Sequence, residues 1–226
     1  LVNIVEQTII KSGIYRRMRF RSSTNAEDAD GFSGAGLYSS KTGIVGDKKK
    51  SIGKAIKSVW ASLWSYQAFA EREYFNIDHS TVYMGILVHR SFPKEHVNGV
   101  AITKNIYRPG SFGFVVNAQI GNNNVVKPDS GVVCDQFVCY PDNGNNIYSS
   151  RRAIDIITVS NINNSQLTMS TGEIQRLANT LNLIKSYFGR NIYPNRDFMN
   201  LGLDVEFKLD GHSRSLYIKQ IRLYND

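Results

Sequence analysis

The end of the chain constrains it most. Gly202-Leu-Asp-Val-Glu-Phe-Lys-Leu-Asp-Gly211 and Leu216-Tyr-Ile-Lys-Gln-Ile-Arg222 read as two short strands. The Asp210-Gly211 pair between them is a hairpin turn signal. Asp204 and Glu206 lie two residues apart on the first strand, so both side chains leave one face. Gln220 and Arg222 do the same on the second. Pairing the strands brings two carboxylates, an amide and a guanidinium to one surface. Carboxylates and an amide oxygen are hard ligands suited to Mg²⁺, which keeps several waters and takes further ligands from a nucleotide's phosphates. Arginine holds phosphate through paired, charge-assisted hydrogen bonds. The alternation by itself equally describes an edge hairpin with a wet polar face.

The rest of the composition narrows the class. A chain of 226 residues with 42% hydrophobic and 11% aromatic content can bury a sizeable core, as one large domain or two lobes. No apolar run approaches the roughly 20 residues of a membrane span, and no signal-peptide pattern opens the chain. Leu1 at the start, in place of methionine, is expected of a segment excised from a longer protein. Cys134 and Cys139 are too few for a disulfide framework and have no metal-type spacing around them. Five residues apart on a strand, they face opposite ways, so reduced thiols in a cytoplasmic protein are expected. The formal charge of +8 suits an anionic partner. The cluster Lys48, Lys49, Lys50, Lys54 and Lys57 reads as a solvated helix start, since no nucleic-acid-binding motif accompanies it.

Taken in order, Asn3 to Lys11 reads as a short helix ended by Gly13, and Tyr15 to Phe20 as a strand. Arg21 to Gly36 is a polar loop with three glycines near its end, suited to let backbone N–H groups approach phosphate oxygens. Lys41 to Lys50 reads as a polar connection. Ile52, Ile56, Val59, Trp60, Leu63, Trp64 and Phe69 recur at helical steps and predict a helix over Ser51 to Asn76, with both tryptophans in the core. Strands are expected at Val82 to Val88, Asn98 to Thr103, Phe112 to Gln119, Gly131 to Tyr140, Asn146 to Ser149 and Ala153 to Ser160. Ser170 and Glu173 form a capping-box pattern before a helix that runs to about Phe188 and ends at Gly189. No internal repeat or interdomain linker is visible, so residues 1–226 read as one α+β domain.

Several of these segments carry a resemblance. Arg21-Ser22-Ser23 with Glu27-Asp28, then Phe32-Ser33-Gly34, is similar to an R-S-S-A-x-x-E-D motif followed by F-A-G. Gly85-Ile-Leu-Val-His-Arg-Ser-Phe92 is similar to G-V-L-V-Q-R-M-V, and Asn98 to Thr103 to S-G-V-x-F-T. Asp204, Glu206, Gln220 and Arg222 match a D-x-E strand and a strand closing in Q-x-R. Together they resemble the nucleotide-binding domain of phosphoenolpyruvate synthase and pyruvate phosphate dikinase, over about Arg16 to Arg222. The resemblance implies an ATP-grasp fold of mixed and antiparallel sheets with flanking helices, here a partial domain, binding Mg²⁺ and ATP between two lobes. It implies that Arg21 and Arg222 hold phosphates and stabilise transferred charge. It assigns the glycine loop with Ser33 and Gly34 to the phosphates, and Leu87, Val88 and His89 to the adenine edge. Glu206 and Gln220 are its metal ligands, with Asp204 beside them as direct or water-mediated support. Asn122 stands where the family has a glutamate near the nucleotide. The implied partner is a phosphohistidine-bearing swivelling domain elsewhere in a longer protein, which passes phosphate to pyruvate or another acceptor. No counterpart of the family's upstream G-G-K-G lysine or of its T-x-G-G-x-x-x-H segment is present in the sequence. With Asn122, and with Ala35, Gly36 and Tyr38 near where many family members have paired glutamines and a threonine, this leaves open a degenerate nucleotide-binding or regulatory module, and a basic nucleic-acid-binding domain as a further alternative.

Overall fold

The computed structural model describes residues 1–13, 15–26, 34, 36–91, 95–121, 123–126, 128–142 and 154–224. The chain divides into two compact units, Leu1–Ser91 and Phe92–Asp226. Both are α+β, and every strand pairing among the described residues is antiparallel. No described helix is long and apolar enough to cross a membrane.

In the first unit, α1 (Val2–Ser12) ends as expected at Gly13, whose φ of 69° is the left-handed conformation that glycine adopts without strain. β1 (Arg17–Thr24) runs further than expected, through Arg21-Ser-Ser-Thr, because β3 (Met84–Arg90) pairs along that whole stretch. β2 (Lys41–Ile44) occupies part of the expected polar connection and pairs with β1, giving the order β2-β1-β3. The expected long helix is broken. α2 (Ile52–Ala61) passes through a short 3₁₀ turn, and α3 (Tyr66–Tyr74) restarts behind Ser65, whose side chain accepts from the Ala68 N–H. Ile52, Ala55, Ile56 and Val59 form the stripe of α2 that packs on Phe20. Trp60 and Trp64 fall outside it and are 42% and 57% exposed, which corrects their expected place in the core. The Arg72 guanidinium lies 5.5 Å from the Trp64 ring centre, and Arg72 itself is fully buried, donating to the Leu63 carbonyl at 2.7 Å.

The second unit contains β4 (Glu95–Ile102), β5 (Phe114–Ile120), β6 (Asp135–Cys139), β7 (Ile154–Thr158), α4 (Thr171–Asn191), β8 (Leu203–Asp210) and β9 (Leu216–Leu223). The sheet order is β7-β6-β5-β4-β8-β9. One face carries Val97, Ala101, Phe114, Val116, Phe137, Val205 and Phe207, all packed in the cluster that Ile174, Leu177 and Leu181 of α4 complete. Gly99 leaves room for Phe207 directly opposite it. Ser170 and Glu173 form the expected capping box. The helix continues through Gly189 to Asn191, three residues past Phe188, because Gly189 does not take the left-handed conformation that ends a helix. The strand expected at Asn146 to Ser149 lies outside the described residues. Cys134 and Cys139 are buried free thiols, and burial pushes the Cys139 thiol up to about 12.

A polar network ties the helix start to the final hairpin. Buried Asp135 accepts from the Ser160 N–H, the Thr168 N–H and the Thr168 hydroxyl at 2.6–2.7 Å. Arg214, in the loop after β8, donates to the Thr168 carbonyl at 3.0 Å and to both Glu173 oxygens at 2.6 and 2.8 Å.

Candidate functional site

The hairpin β8–β9 sets the site. Val205, Phe207 and Leu209 point into the core, so Asp204, Glu206 and Lys208 point away from α4. The register places Asp204 opposite Arg222 and Glu206 opposite Gln220. All four residues singled out in this hairpin therefore share one surface. The Arg222 Nε donates to Asp204 Oδ2 at 2.8 Å. The other carboxylate oxygen, Asp204 Oδ1, is buried with no protein partner. A desolvated acceptor of this kind is costly unless something else satisfies it. The connection between the strands, residues 211–215, is longer than a two-residue turn. The Asp210 carboxylate closes it by accepting from the N–H and hydroxyl of Ser213, both at 2.9 Å.

A β-bulge interrupts the pairing. Glu206 faces Gln220, but Phe207 faces Ile218, so Lys219 is the extra residue. Strict alternation would send Lys219 to the core face. The bulge instead brings its Nζ to 3.6 Å from Glu206 Oε2. On the same face Lys208 pairs with Glu95 at 3.1 Å. Asn117 on β5 sits in the row that runs through Val100 to Glu206, about two strand spacings or roughly 10 Å from it. Its Oδ1 is also buried without a partner. The sequence reading missed both Lys219 and Asn117. Alternation of Val115, Asn117 and Gln119 along β5 carries a signal for Asn117; no local pattern carries one for the bulge.

In the first unit, Arg21 on β1 stands opposite Leu87 on β3, and Arg19 opposite His89. These side chains leave the face that Phe20 and Val88 do not share, since those two point to the α2 core. Leu87 is 56% exposed. His89 Nδ1 lies 2.8 Å from the Arg90 carbonyl. β3 is an edge strand of its sheet. Gly34 is buried, and its carbonyl accepts from the Leu37 N–H at 3.1 Å. Ser33 and Asn122 lie outside the described residues, as do Glu27, Asp28 and Phe32 of the motif.

Among the described residues no group of three His, Cys, Asp or Glu side chains could hold a metal by itself. The hairpin's donor set is of another kind: two carboxylates and an amide oxygen on one face. That set fits Mg²⁺, which is commonly held by one or two carboxylates while waters and phosphate oxygens complete its shell. The orphaned Asp204 Oδ1 is the observation that favours a cation or water there.

An antiparallel α+β chain that closes on carboxylates, an amide and a guanidinium along one sheet face has the build of a nucleotide-binding domain. Comparison with known proteins makes this specific: the chain belongs to the pyruvate phosphate dikinase AMP/ATP-binding domain family, whose model matches residues 2–225. A 74-residue stretch is 34% identical to a phosphoenolpyruvate synthase of Aeropyrum pernix; it covers 33% of this chain and 9% of that protein.

Proposed function

We propose that this chain is the ATP-binding part of a dikinase of the phosphoenolpyruvate synthase kind, with an ATP-grasp-like fold. It uses Mg·ATP to phosphorylate a histidine on another, swivelling domain, from which phosphate passes to pyruvate or a different acceptor. A cytoplasmic location goes with this reading. The observation that carries it is the register of β8 and β9, which aligns Asp204 with Arg222 and Glu206 with Gln220 on the face away from the core.

In the second unit Asp204, Glu206 and Gln220 would hold Mg²⁺, which neutralises charge on the ATP phosphates. Arg222 orients Asp204 through one carboxylate oxygen and leaves the other to a ligand. Its guanidinium would also hold phosphate oxygens and stabilise charge as the phosphoryl group moves. In the first unit Arg21 is assigned to phosphate, with Ser33 and Gly34 of the glycine loop. Leu87, Val88 and His89 are assigned to the adenine edge. The Val88 side chain packs inward, so its contact is through the main chain, which an edge strand can offer. Asn122 would accept a ribose hydroxyl.

Calorimetric titration with Mg·ATP tests the reading. Saturable, Mg²⁺-dependent binding is expected, lost in Glu206→Gln. Unchanged affinity in that variant, or no binding even with upstream sequence restored, overturns it. The ion pairs on both carboxylates, Asp204–Arg222 at 2.8 Å and Glu206–Lys219 at 3.6 Å, favour a second reading: a module that binds nucleotide without transferring phosphate. Labelled ATP incubated with a histidine-bearing acceptor domain separates the two.

A further inference from the structure

Lys219 is the one side chain at the hairpin surface whose place depends on an irregularity of the backbone. Without the bulge after Glu206, it would take the place of Ile218 opposite Phe207, on the face of Ile221 that packs against the core. With the bulge, both Lys219 and Gln220 oppose Glu206. Bulges of this kind re-aim a side chain beside a functional position. The result is a second ion pair next to the first: the carboxylate of Asp204 is matched by Arg222, and that of Glu206 by Lys219. The Lys219 side chain is only 24% exposed and that of Glu206 26%, so solvent screens the pair incompletely.

We propose that Lys219 is a resident counter-cation of the hairpin site: it neutralises Glu206 while no divalent ion is bound and must release it before one can bind. This rests on the reading of Asp204, Glu206 and Gln220 as metal ligands. A lysine ammonium is a single positive charge on a flexible stem and cannot share a carboxylate oxygen with a dication at close range without repulsion. The lysine therefore lowers the site's affinity for the free ion and keeps the empty surface close to neutral.

Mn²⁺ is the probe, titrated without nucleotide and followed by the electron paramagnetic resonance signal of the free ion. Parent, Lys219→Gln, Lys219→Arg and Glu206→Gln are compared. Lys219→Gln is expected to bind Mn²⁺ roughly two- to fivefold more tightly than the parent, the scale of a partly exposed ion pair. Lys219→Arg keeps the parental affinity, and Glu206→Gln loses it. General structural damage would weaken binding, so a gain cannot arise from it. If Lys219→Gln matches the parent while Glu206→Gln is weakened, the metal reading stands and the counter-cation role is overturned. If Glu206→Gln binds as the parent does, or no variant binds Mn²⁺, the metal assignment fails and takes this inference with it.

Discussion

At the scale of single residues, the buried charges divide into those the site uses and those the fold uses. Lys185 belongs to the fold. Its side chain is 1% exposed, its Nζ donates to the Thr103 carbonyl at 2.6 Å, and burial pushes its pKa down to about 8. Because the unfolded chain holds this proton up to about 10.5, it binds more protons than the folded one between these values, and stability rises with pH across that window. Urea midpoints measured from pH 8 to 10.5 are expected to climb more steeply in the parent than in Lys185→Met, which keeps the length and loses the titration. Such a role is hard to see in the letters, since a lysine within an amphipathic helix ordinarily reads as solvated. The hairpin residues were legible for the opposite reason. Asp204, Glu206, Gln220 and Arg222 needed only the period of a strand and one antiparallel pairing to meet. Lys219 was not legible, because a bulge depends on how two strands settle their register, and neither strand carries that alone.

At the scale of elements, α4 is fastened at its first turn. Arg214 grips Glu173 through both oxygens, and with the Ser170 cap it holds the Glu173 carboxyl down to about 2. A carboxylate with a depressed folded pKa contributes stability above the ordinary value of 4.5 and loses it as pH falls toward 2. Glu173→Gln is therefore expected to be less stable at neutral pH by about 1–2 kcal/mol and to lose less between pH 4.5 and 2, read from melting temperatures along that range. The capping box announced this helix in the sequence, but its far end did not show, because a glycine near a helix terminus stops it only when the backbone turns left-handed. Overlapping stripes misled in the same way on α2. Helical spacing shows that an apolar face exists, yet packing on Phe20 decides that Ile52, Ala55, Ile56 and Val59 are covered and Trp60 is not. β2 was missed because Lys41-Thr-Gly-Ile takes its extended form from pairing with β1.

At the scale of the whole molecule, the sequence read as a single domain, with two lobes as an option, and the structure shows two compact units. Each has its own core: Phe20 with α2 in the first, the six-stranded sheet with α4 in the second. Residues 92–226 are expected to fold when expressed alone, with one cooperative urea transition and slow hydrogen exchange at β4, β5 and β8; a featureless transition would show that the second core needs the first unit. The strand order adds a consequence for biosynthesis. β8 pairs with β4 across about a hundred residues of chain, Ile102 lying opposite Asp204. On the ribosome β4 and β5 are complete long before β8 emerges, and until then β4 remains an open edge. The hairpin that carries Asp204, Glu206, Gln220 and Arg222 is thus the last described element to be translated. A nascent chain acquires the four groups proposed to hold the ligand in the same event that covers the edge of β4, so a polypeptide that stops short of the hairpin does not display them.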